Sequence, residues 1–171
     1  MTTTASTGRT TAADVGLLIL RAAPGLVVAV HGASEMLGWF GGNNFAADVH
    51  YYASLGYTPA KLWAIVSGVT EIGGGLLLTL GLLTPLAAAA VMGVMLNAVV
   101  AGQIPYGFLR SGGDFVAAIG LAAVGIACTG PGTISFDRRR SWLPGKLNST
   151  VFSLVLGLGL GAVVLIIRAA R

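Results

Sequence analysis

Five apolar runs punctuate the chain, at residues 15–37, 62–83, 85–103, 115–130 and 150–167. A helix rising about 1.5 Å per residue needs roughly 20 residues to cross about 30 Å of hydrocarbon, so each run predicts a transmembrane helix, the fourth by a narrow margin. Strands are excluded as an open-ended solution, because lipid leaves their backbone groups unpaired. Only Thr84 separates the second run from Pro85, and proline is tolerated in a first helical turn. The second and third helices should therefore form a tight antiparallel hairpin.

Between the runs the pattern changes. Residues 1–13 are rich in Thr, Ala and Ser and predict a disordered tail rather than a signal peptide, since the first run exceeds the usual 7–15 apolar residues of a leader. The longest connection, residues 38–60, carries Trp39, Phe40, Phe45, Tyr51, Tyr52 and Tyr57. Aromatics so placed predict an interfacial belt or a short helix lying on the membrane. The division that follows is a tail (1–13), a four-span domain (14–140), and a linker with a fifth transmembrane helix (141–171).

Composition sharpens this picture. Of 171 residues 55% are hydrophobic and only 9% charged, with a mean hydropathy of +0.84, where soluble domains carry roughly 25% charged residues. An all-α integral membrane protein in contact with the lipid bilayer is the consequence. The net charge of +4 comes with a cluster, Arg138, Arg139, Arg140 and Lys146, after the fourth span. The positive-inside rule places that loop, and hence the N-terminus, in the cytoplasm; Arg168 and Arg171 beyond a fifth span run against it. No basic face with interleaved aromatics exists for nucleic acid. A lone Cys128 provides neither a disulfide framework nor a thiolate metal site, and its apolar neighbours predict a buried position.

Polar residues within the runs carry the candidate chemistry. Arg21, His31 and Glu35 fall within about 80° on a helical wheel, so one stripe of the first helix is polar and should face the bundle centre. Glu71 lies near the middle of the second helix and Asn97 far inside the third. Depth counting puts Glu71 between Arg21 and His31, about 6–9 Å from each along the membrane normal. A buried network of Arg21, His31, Glu71 and Asn97 is expected, with Arg21 pairing Glu71. Glu35 and Asp114, at the outer boundary, are weaker members. One intramembrane histidine argues against a metal or haem site, and the run Gly73 to Gly75 lacks the Lys and Ser/Thr of a phosphate loop. Gly157 and Gly161 form a GxxxG pair suited to close helix contact and a homo-oligomer.

The order and spacing of Arg21, His31-Gly32, Glu71-Ile-Gly-Gly-Gly75, Gly81-Leu-Leu-Thr-Pro85 and Gly130-Pro-Gly-Thr-Ile-Ser-Phe-Asp137 resemble the DoxX family of small bacterial membrane proteins. The resemblance implies a four-helix transmembrane bundle with both ends cytoplasmic, here extended by a fifth helix in the inner membrane. It carries over to Arg21, His31 and Glu71, whereas Glu35 stands where members commonly have a lysine or similar residue shortly after the His-Gly. It implies a subunit or scaffold of a redox, oxidative-stress or thiol-stress assembly, with redox or stress-response protein partners. The chain would then be an accessory to a quinone-linked oxidoreductase rather than a catalyst alone, with no intrinsic cofactor and a quinone or lipid-like molecule as candidate ligand. A small proton-coupled transporter or channel-like protein is the alternative reading of the same polar residues.

Overall fold

The first helix begins with a capping box. In the computed structural model, which describes residues 11–42, 44–139 and 146–170, the Thr11 hydroxyl accepts from the Asp14 amide and the Asp14 carboxylate accepts from the Thr11 amide at 2.8 Å. This satisfies two amides that a helix start would leave unpaired. Helix α1 (Ala12–Leu37) thus takes in residues assigned above to the tail. It is followed by α2 (Phe45–Ser54), α3 (Ala60–Leu80), α4 (Thr84–Asn97), α5 (Gly113–Thr129) and α6 (Lys146–Ala169). Among the described residues there is no strand. α1, α3, α6 and the α4 segment prolonged to Tyr106 are long and apolar enough to cross a membrane, while α5 is a shorter apolar helix of 17 residues.

α1 and α3 are antiparallel and their backbones nearly touch. A Cβ on Gly75 would stand 2.5 Å from the Gly25 carbonyl oxygen, and one on Gly32 would stand 2.7 Å from Cβ of Glu71. The hairpin expected between the second and third runs is present. Gly81 turns the chain at φ 64°, a conformation that costs glycine little, and Pro85 falls in the first turn of α4. α4 is the central helix: Ala87, Ala88, Ala89, Val91, Met92 and Met95 are buried, packing with Val28, Leu78, Ile119, Ala123 and Ile126.

α6 runs parallel to α4. Ser153 donates to the Pro85 carbonyl at 3.0 Å, Gly157 faces Ala89, and Gly161 faces Gly93. The GxxxG pair is therefore used inside the chain, where small residues let two backbones approach, rather than offered to a second copy. A Cβ on Gly159 would meet nothing within 4 Å, so that residue points away from this contact.

Two further expectations change. Cys128 is exposed, not buried, because α5 turns that side outward, where an apolar environment would also suit a thiol. The aromatic connection does not simply lie along the bundle: Tyr57 is buried with Leu55 and Ala101, and its ring lies 5.3 Å from Tyr52 and 5.9 Å from Trp63. Trp39 and Phe40, at 58% and 74% exposure, and Tyr51, at 41%, keep the exposed character of a belt. Arg168, at the same end, donates to the Leu55 carbonyl and sits over the Tyr57 ring at 5.6 Å. Topology counting treats that arginine as a free charge; it is instead committed to a carbonyl and an aromatic face. Arg138 is exposed, and Arg140, Arg171 and residues 1–10 lie outside the described residues.

Candidate functional site

A cavity of about 690 Å³ lies among α1, α2, α3, α4, α5 and α6. Its walls are mostly aliphatic, including Val27, Val28, Leu86, Ile119 and Leu160, and its polar groups are His31, Glu35, Tyr51, Tyr52, Tyr57, Ser67, Thr70, Glu71, Asn97 and Gln103.

Glu71 is set by its own helix. Ser67, one turn earlier on the same face, donates to Glu71 Oε1 at 2.9 Å. Glu71 is 5% exposed, and its Oε2 is buried with no hydrogen-bond partner. From α1, His31 and Glu35 occupy the same face one turn apart, with Nε2 3.1 Å from Oε1. One donor atom from each of His31, Glu35 and Glu71 lies within 4.8 Å of the others. Burial falls across the three: Glu71 is enclosed, Glu35 partly so, and His31 exposed at the mouth.

Arg21 does not belong to this group. Its guanidinium donates to the carbonyls of Thr79 at 3.2 Å and Ile134 at 2.6 Å, and to that of Pro131. Glu71 is level with Gly32 and Arg21 with Gly81, and ten residues of helix separate those levels by about 15 Å. The expected Arg21–Glu71 pair is thereby corrected: the segment after α5 folds back and supplies carbonyls nearer to Arg21 than any carboxylate of the cavity. Asp137 completes this end, accepting from the Thr84 amide at 2.7 Å and the Thr84 hydroxyl at 2.8 Å, where α4 has its unpaired N-terminal donors. Its own amide donates to the Gly81 carbonyl at 2.9 Å. Three of the sequence blocks singled out above, at residues 21, 81–85 and 130–137, thus form a structural clasp at one end of the bundle. The blocks at 31–32 and 71–75 meet at mid-depth.

Asn97 lines the cavity but acts as a link between helices. Its amide nitrogen donates to the carbonyls of Gly93 at 2.9 Å and Gly161 at 3.0 Å, and its oxygen accepts from the Tyr57 hydroxyl at 3.0 Å. Directly after it α4 widens into a π-helical turn, Ala98–Gln103, a distortion often found at functional sites, and Gln103 Oε1 is left buried without a partner on the cavity wall. Asp114 is exposed in the first turn of α5, away from the cavity lining.

Sequence reasoning missed Ser67, Tyr52, Gln103 and Asp48. Ser67 was open to detection by its spacing from Glu71; the others depend on how α2 and the π-turn fold inward. Asp48 is buried, at 5% exposure, and its carboxyl is pushed up to about 6, chiefly by burial and also by the Glu35 carboxylate, with His31 opposing. Burial likewise raises the Tyr52 hydroxyl above its ordinary range, so it remains a donor.

A carboxyl that binds its proton more tightly when folded stabilises the fold below its unfolded value near 3.8 and loses that contribution as pH rises through about 6. Asp48→Asn should therefore raise the melting temperature at pH 7.5 and shrink the difference from wild type as pH falls toward 4. Thermal unfolding of both proteins across that range in one detergent checks this, and a difference independent of pH would contradict it.

The DoxX family model matches residues 16–103, which contain α1 apart from its first turn, α2 to α4, and the cluster of His31, Glu35 and Glu71. The chain is 34% identical over 139 residues to Inner membrane protein YphA of Escherichia coli (strain K12), a match covering 75% of this chain and 92% of that protein. No solved structure matches it. A family match over half the chain, a curated relative aligned along nearly its whole length and an all-helical bundle of membrane-spanning length lead to one statement: this multi-pass integral membrane protein belongs to the DoxX family.

Proposed function

We propose that the chain is a bacterial inner-membrane subunit of a redox or oxidative- and thiol-stress assembly, and that its cavity binds a quinone or a lipid-like molecule of similar shape. The observation that carries this reading is the pairing of aliphatic walls with a compact set of proton-carrying groups, Glu71, Glu35 and His31, in one cavity of about 690 Å³. That volume lies within the 300–1,000 Å³ typical of small-molecule sites. A quinone ring needs apolar surface for its face and hydrogen-bond donors for its carbonyls. The Tyr52 hydroxyl and the His31 imidazole are such donors on the lining. Its reduction takes up two protons, for which a carboxyl in contact with Ser67 and an imidazole at the mouth form a graded path from enclosed to exposed. A bound quinone would supply the redox chemistry; this chain's residues would position it and move protons. The sole cysteine cannot form a redox disulfide within the chain, so electrons would come from a partner protein. The inner-membrane placement rests on the name of the Escherichia coli relative and on the positive-inside argument.

Native mass spectrometry after gentle extraction into nanodiscs tests the reading. A retained quinone, reduced in occupancy by Glu71→Gln and Tyr52→Phe, together with a co-purifying redox protein, is the expected result. Phospholipid alone, no partner, and a deletion strain with normal tolerance of oxidants and thiol stress would refute it. The same graded path also favours proton-coupled transport as a second reading. Solute flux in proteoliposomes, driven by a pH gradient and lost in Glu71→Gln, would select that one.

A further inference from the structure

The group at the cavity mouth poses a charge problem that the surrounding side chains do not solve. Glu35 and Glu71 bring two carboxylates together, and Asp48 lies close enough to interact electrostatically with Glu35 and His31. Among the described residues, lysine and arginine side chains are exposed or engaged elsewhere, which leaves His31, paired with Glu35, facing this set of carboxylates. Arg21 is held by three carbonyls at the clasp, Arg168 by Leu55 and Tyr57, and Lys61 and Arg110 are exposed. Within a membrane, an excess of acidic groups over counter-charge is costly.

We propose that His31, Glu35 and Glu71 form a binding site for one divalent first-row transition-metal ion, held between α1 and α3 at the mouth of the cavity. The donor set is one imidazole nitrogen and two carboxylate oxygens. That combination suits zinc, manganese or ferrous ion rather than calcium or magnesium, which prefer oxygen alone. Donors bound at about 2.0–2.2 Å to a common ion lie about 3.0–4.4 Å apart. Here all three lie within 4.8 Å, with His31 Nε2 and Glu35 Oε1 3.1 Å apart, so small side-chain rotations complete the geometry.

A second observation, separate from the clustering, points to a ligand. Glu71 Oε2 is buried and has no partner, while the other oxygen is fixed by Ser67. A buried carboxylate oxygen of a residue in the cluster is therefore left with nothing to receive its lone pairs, a condition native proteins seldom tolerate. The framework is also rigid. His31 and Glu35 are one turn apart on α1, and the adjacent Gly32 brings that turn against the backbone of α3 at Glu71. Two donors from one helix and one from its closest neighbour need no loop to assemble. A single histidine suffices in this arrangement, because carboxylates rather than a second imidazole supply the remaining donors.

The metal site goes beyond the redox reading and does not depend on it. The test uses tag-free full-length protein in nanodiscs, stripped with chelator and titrated with Zn²⁺ by calorimetry, with Mn²⁺ followed by electron paramagnetic resonance. Saturation at one ion per chain is expected, with affinity at least about tenfold weaker in His31→Gln and in Glu71→Gln and unchanged in Asp114→Asn. Zn²⁺ should raise the melting temperature of the wild type and not of those two variants. His31 is exposed and glutamine is nearly isosteric with glutamate, so metal-free melting temperatures check that both variants fold. Absence of saturable one-to-one uptake, or uptake that both variants retain, would overturn the site whatever the outcome for quinone.

Discussion

Replacing Arg21 by leucine should cost about 3–5 kcal/mol of stability, the scale seen when one partner of a buried charged contact is removed. Arg21 is 3% exposed and its guanidinium serves the carbonyls of Thr79, Pro131 and Ile134, while its charge faces Asp137. Leucine would leave those acceptors in a dry environment, each unmade bond costing about 1–3 kcal/mol. Lysine would keep the charge but lose the planar fork that reaches several carbonyls, and so should rescue only in part. Denaturation in detergent, following helicity, measures both variants. A loss below about 1 kcal/mol for Arg21→Leu would mean that the clasp contributes little to holding this end of the bundle together. The cavity should survive in protein that remains folded, since Glu71 does not depend on Arg21.

The second large effect is expected in the run of three glycines on α3, where alanine substitutions should split three ways. A Cβ on Gly75 would lie 2.5 Å from the Gly25 carbonyl and 2.7 Å from the Ala29 amide nitrogen, both backbone atoms that cannot rotate away. Gly75→Ala therefore forces α1 from α3, and overpacking of this kind costs about 1–3 kcal/mol or more. On Gly74 the nearest atom is Cβ of Ala90 at 3.2 Å, which a shift of a few tenths of an ångström relieves. Gly73 has nothing within 4 Å, so Gly73→Ala should stabilise by about 0.5–1 kcal/mol through the lower entropy cost of a helical alanine. The order of melting temperatures, Gly73→Ala above Gly74→Ala above Gly75→Ala, is the measurement. Equal effects at the three positions would remove the basis for the α1–α3 contact.

Much of this architecture was legible in the residues because membrane helices advertise themselves by length. The apolar runs, the hairpin at Pro85 and the shared face of His31 and Glu35 follow from rise and rotation alone. Arg21 was misplaced for a specific reason. Counting depth along helices considers only residues on helices, whereas its real partners are backbone carbonyls of a returning segment that carry no side-chain signature. Asp48 was hidden by its aromatic neighbours, which suggested a surface stretch although Tyr52 and Leu55 turn that stretch toward α3. The three glycines at 73–75 look identical in sequence and differ only by what stands opposite them. The role of the GxxxG pair likewise depends on which helix α6 meets, and a spacing cannot say whether the meeting is within one chain or between two.

Leu156, Gly157, Leu160, Gly161 and Val164 of α6 form part of the cavity wall, which ties the site to the order of biosynthesis. Those residues leave the ribosome after the rest of the chamber's lining. A nascent chain halted before them would hold His31, Glu35 and Glu71 but leave one flank of their chamber facing acyl chains, so occupancy of the chamber would report on the arrival of α6 beside α4.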